Sequence, residues 1–118
     1  MNNTIKLLKQ TIETSKKDLK RFTRKLQMEN GIILSHNYVI SVAGVYTITS
    51  KDGMLHYKSN TEFPAYFTKE GAKANVEALK FNDDREINIV NRHKWYNERI
   101  EGIKNFIEAT EKAILSLK

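Results

Sequence analysis

The chain has 118 residues, 40% hydrophobic and 29% charged, with 20 Lys/Arg against 14 Asp/Glu for a net charge of +6. That length predicts one domain, residues 1–118, with room for a real core. No apolar run reaches membrane-spanning length, Lys6 and Lys9 interrupt the early apolar residues, and there is no cysteine, so a membrane helix, a secretory leader, disulfides and thiolate chemistry are all disfavoured and a cytoplasmic location is expected.

A first helix is predicted from about Asn3 to Asn30, with Asn2 or Asn3 able to cap its start and Asn30-Gly31 a suitable stop. Ile32–Leu34 can add a short strand. Tyr38–Thr49 is rich in Val, Ile, Tyr and Thr, and Ile40, Val42, Tyr46 and Ile48 share one face by period two. Gly44 falls on that face and reads as a bulge or close contact. Lys51-Asp52-Gly53 is a tight hairpin turn, returning Met54–Lys58 as the next strand. Ser59–Glu62 is loop, and Ala65–Phe67 reads as a short edge strand beyond Pro64.

Thr68 then caps a short helix with Glu70 in its first turn, Gly71 weakening it, and Ala72, Val76 and Leu79 inward. Asn82-Asp83-Asp84 is a turn, Glu86–Val90 a last strand, and Asn91 a cap for a long final helix from 91 to 118.

The two long helices carry matched seams. Ile5, Leu8, Ile12, Ser15, Leu19, Phe22 and Leu26 alternate three and four residues apart, and so do Tyr96, Ile100, Ile103, Ile107, Thr110, Ile114 and Leu117. Such narrow stripes drive helices together. Antiparallel pairing aligns Ile5 with Leu117, Leu19 with Ile103, Phe22 with Ile100 and Leu26 with Tyr96, at a constant index sum. The alternative is a homodimer in which each stripe packs on a second copy. The predicted fold is therefore α+β: a coiled-coil-like antiparallel helix pair (residues 1–30 and 91–118) flanking a small antiparallel sheet with one short helix (residues 31–90).

Residues 1–30 carry eight Lys/Arg and three acids, whereas 31–90 carry six and seven. The excess is concentrated on the first helix, where Lys17, Lys20, Arg21 and Arg24 lie opposite the seam, flanked by Lys16 and Lys25. No acid at i+4 neutralises the four. Regular cations neutralise phosphates independently of sequence, so this face is a candidate polyanion or nucleic-acid contact, against the plainer reading of a solvated face. Phe63 and Tyr66, around Pro64, and Trp95 are candidate partner anchors, against the plainer reading that they seal a core.

His36, His56 and His93 are scattered without ligand spacing, Asp83 and Asp84 read as a polar turn, and no phosphate loop, nucleophile elbow or dinucleotide fingerprint occurs. No catalytic residue, metal or cofactor is expected, and the chain reads as non-enzymatic.

The run Tyr38–Lys58, the stretch Phe63-Pro64-Ala65-Tyr66-Phe67-Thr68-Lys69-Glu70-Gly71-Ala72 and then Glu86–Val90 resemble small accessory proteins of phages and mobile elements of Gram-positive bacteria. Those often join a β-hairpin and a Phe-Thr-x-x-x-Ala helix start to long Lys/Glu/Asn-rich helices. In size and style the chain is similar to anti-CRISPR proteins. The resemblance implies an inhibitor that binds an RNA-guided nuclease in the host cell. The basic charge departs from DNA-mimicking members and points instead to contact with the guide RNA or a domain surface. The other expectation is a nucleic-acid-binding accessory protein acting through the first helix.

Overall fold

The computed structural model describes residues 2–29 and 35–118. The expected helix stop at Asn30-Gly31 and strand at Ile32–Leu34 lie outside these residues. The elements are α1 (Asn2–Glu29), β1 (Tyr38–Val42), β2 (Tyr46–Lys51), β3 (Met54–Ser59), α2 (Lys69–Lys80), β4 (Ile87–Asn91) and α3 (Arg92–Leu117). They fall into two compact units, Met1–Asn30 with Tyr96–Lys118, and Gly31–Trp95. The division lies inside α3, a few residues beyond the boundary the sequence suggests.

In the first unit α1 and α3 pack together, antiparallel, along the two stripes. Ile12 and Phe22 are buried and the other five α1 seam positions half-buried; on α3, Tyr96, Ile100, Ile103, Ile107, Thr110 and Ile114 are buried. The Phe22 ring lies 6.0 Å from Tyr96, one turn from its expected partner Ile100, and the Arg99 guanidinium sits 5.6 Å from the Phe22 centroid. Burying each large apolar side chain of this seam contributes about 1.5–3 kcal/mol. Thr110 is tolerated among the isoleucines because its hydroxyl donates to the Phe106 carbonyl at 2.7 Å. α1 begins at Asn2.

The second unit is a four-stranded antiparallel sheet, ordered β3-β2-β1-β4, with α2 on one face. Ile40, Val42 and Ile48 meet Phe67, Ala72, Val76 and Leu79 in one core cluster. Those three α2 residues are the inward set that the helical spacing predicts. Thr68 caps α2, its Oγ1 accepting from the Gly71 N–H at 3.0 Å. A Cβ at Gly71 would stand 2.9 Å from that oxygen, so glycine leaves room for the cap. Asn91 caps α3, its Oδ1 accepting from the His93 N–H at 2.9 Å.

Two expectations change. The single strand expected over Tyr38–Thr49 is two strands, β1 and β2. Gly44 is not a bulge but part of their turn: Ala43 and Gly44 both have positive φ (54° and 70°), and the Val45 N–H donates back to the Val42 carbonyl at 3.1 Å. A non-glycine in that conformation costs about 1–2 kcal/mol, which the flanking strand pairing offsets. The edge strand expected at Ala65–Phe67 is one bridge, Tyr38 to Phe67, with mutual hydrogen bonds of 2.7 and 3.0 Å. The Asp52-Gly53 hairpin forms as predicted, with positive φ at both residues and Lys51 paired to Met54.

Candidate functional site

The outer side of α1 follows from its inner side. Seam positions recur every three or four residues, so the positions between them turn away from α3. Lys17, Lys20, Arg21 and Arg24 are exposed there, Lys16 is exposed at the edge beside the groove to α3, and Lys25 is half-buried. Two of the six are engaged within the helix. Asp18 accepts from Arg21 at 3.1 Å, and Glu29 stands 3.3 Å from the Lys25 ammonium.

Considering only acids at i+4 therefore overstates the uncompensated charge, because Asp18 reaches Arg21 from i−3. Asp18 also bears on Arg99, whose guanidinium burial pushes below its ordinary pKa while the Asp18 charge acts in the opposite sense. Among the described residues Lys16, Lys17, Lys20 and Arg24 make no ion pair. Lys6 and Lys9, exposed on the same side of α1 and likewise unpaired, extend the array towards the N-terminus. Their spacing is visible in the sequence, where they also interrupt the early apolar residues.

The other predicted residues are not on this face. Trp95 is 5% exposed and belongs to the interior. Tyr66 is half-buried beneath the Arg92 guanidinium, 5.9 Å from its ring centroid, and Arg92 is itself buried and donates to Asn37 Oδ1 at 2.9 Å. Phe63 is half-buried, and its carbonyl accepts from Lys58 Nζ at 2.5 Å. The structure gathers the six cations on one helix and places Phe63, Tyr66 and Trp95 in the other unit, packed rather than presented.

A cluster in the sheet unit has no local sequence signal. Tyr57 donates its hydroxyl to Asp83 Oδ2 at 2.6 Å, and Arg85 grips the same carboxylate through Nε (3.0 and 3.2 Å), Nη2 (2.7 Å) and its backbone N–H (3.0 Å). The Arg85 guanidinium lies 5.4 Å from the Tyr46 ring and 5.3 Å from Tyr57, and the two rings meet edge to face at 5.9 Å. These donors, Arg85 first, hold the Asp83 carboxyl well below the usual carboxylate range; the carboxylate in turn raises the Tyr57 hydroxyl and the Arg85 guanidinium. Through these hydrogen bonds the cluster is a brace that ties the turn after α2 to the β2–β3 hairpin. Asp84 and Glu86 remain exposed. Among the described residues no three His, Asp or Glu side chains group as metal ligands.

No protein-family model, curated protein or solved structure matches this chain. The functional reading rests on the α1 face, the only one of these groupings in which exposed charge is neither buried nor largely neutralised by its neighbours.

Proposed function

We propose that the protein is a non-enzymatic inhibitor of phage or mobile-element origin that binds an RNA-guided host nuclease, using the cationic face of α1 against the nucleic acid the nuclease carries. The observation that supports this most is the set Lys17, Lys20 and Arg24, exposed, unpaired among the described residues, and opposite the seam that holds the helix in place, with Lys16, likewise exposed and unpaired, flanking them. Four like charges on neighbouring turns cost a few tenths of a kcal/mol per pair. A polyanionic partner reverses the sign of that contribution. The resemblance to anti-CRISPR proteins supplies the class of partner, and the positive face suits guide RNA better than a DNA-reading groove of the nuclease.

The test is target cleavage by several type II effectors, with and without the protein, and with a Lys17→Glu/Lys20→Glu/Arg24→Glu variant. Inhibition by the wild type and none by a normally melting variant is expected. No inhibition of any effector by the wild type contradicts the proposal. A second reading, a nucleic-acid-binding accessory protein, is favoured by the same face and is distinguished by binding free nucleic acid without affecting cleavage.

A further inference from the structure

The unpaired array on α1 is longer than four residues. Lys6, Lys9, Lys16, Lys17, Lys20 and Arg24 share one side of the helix, with Lys9 and Lys16 at its edge beside the groove to α3 that Glu111 also lines, and Glu13 is the one exposed α1 acid between them. At 1.5 Å per residue the array runs about 27 Å, the length of roughly eight base-pair steps at 3.4 Å each. It is rigid in the sense that matters: every cation springs from one continuous helix whose opposite face is locked in the seam.

Three features narrow the ligand. The only aromatic residue of α1, Phe22, is fully buried in the seam, so this side offers no platform for unstacked bases. Five of the six cations are lysines, compact charges without the planar fork that reads guanine edges. The spacing is fixed, which suits a stiff polyanion of high charge density. Duplex nucleic acid carries a phosphate charge about every 1.7 Å of its axis, twice the density of one strand.

Resting on the reading of α1 as the polyanion-binding face, we infer that this stripe binds the phosphate backbone of double-stranded nucleic acid, independently of base sequence. Lys6 and Lys9 are part of the site, and Glu13 weakens it.

The test needs no nuclease. Fluorescence anisotropy is followed with duplexes of about 16 base pairs, roughly twice the reach of the array, in two unrelated sequences, with an unstructured single strand and with polyglutamate, across a salt series. Both duplexes should bind alike and more tightly than the single strand or polyglutamate. The slope of log affinity against log salt should lie between about −3.6 and −5.4, as about four to six phosphate contacts require. Lys6→Glu/Lys9→Glu should flatten that slope by about 2 and Lys17→Glu/Lys20→Glu/Arg24→Glu by about 3.

Glu13→Lys should tighten binding and steepen the slope, a gain that misfolding does not produce. Lys112→Glu, on α3, should change neither. Equal or tighter binding of single strand or polyglutamate, more than about tenfold preference between the duplex sequences, or an unmoved slope in both Lys/Arg variants overturns the inference. Duplex binding by a protein that inhibits no nuclease leaves this inference standing and removes only the proposed target.

Discussion

The two units handle charge in opposite ways. The helix-pair unit holds twelve Lys/Arg and seven acids, and its excess of +5 comes from residues 1–30, since 96–118 are balanced. The sheet unit holds eight and seven. Its Arg85 and Asp83 are turned towards each other beside two tyrosines, and its Arg92 is buried against Asn37. In the sheet unit, then, polar groups hold loops to strands. In the helix pair the apolar seam holds the fold, and Lys17, Lys20 and Arg24 opposite it make no ion pair among the described residues. A helix stabilised along one line is free to vary its other side, and that is where recognition without a structural cost can sit.

The comparison can be broken first at the seam. Phe22→Ala removes a fully buried ring that touches Tyr96 and Arg99, and should cost about 3–5 kcal/mol in denaturant unfolding. Ile103→Ala, also in the buried seam, should cost about 2–4 kcal/mol, and Leu19→Ala clearly less, because Leu19 is only half-buried. Equal losses at 19 and 103 would mean that the seam is centred elsewhere.

The sheet unit is sharpened by acid. Because the folded Asp83 carboxyl is held below its ordinary value, its stabilisation is complete above about pH 4 and is lost as pH falls below that. Asp83→Asn should be less stable than wild type at neutral pH and should lose less stability between pH 4 and 2. Parallel acid limbs for the two proteins would deny the brace its role. The smallest effect is expected at Gly71. Alanine there gains about 1 kcal/mol of helix propensity but crowds the Thr68 cap, itself worth about 1 kcal/mol. Gly71→Ala should leave the melting temperature nearly unchanged, whereas an exposed mid-helix glycine would show the full gain.

What the sequence made legible follows the range of the interaction. The seams were readable because both helices repeat the same period, and the hairpin because Asp52-Gly53 names its own turn chemistry. The Ala43–Val45 turn was hidden in a run of good strand formers, with an alanine where a glycine or asparagine is usual. The Tyr57–Asp83 contact joins residues 26 apart in sequence, and no spacing rule reaches it. On α1 the face was legible from periodicity, but its pairing was not: Asp18 removes Arg21 from the uncompensated set, and Lys6 and Lys9 enter it.

The most direct measurement is the affinity of the wild type and of Lys17→Glu/Lys20→Glu/Arg24→Glu for a guide-loaded type II effector, with thermal melts of both proteins alongside. Counterion release at three contacts predicts at least about a hundredfold loss of affinity, with the melting transition unchanged and with weaker wild-type binding to the guide-free effector. A variant that melts like the wild type and binds the loaded effector equally well would contradict the account, since recognition would then not reside on the cationic face of α1.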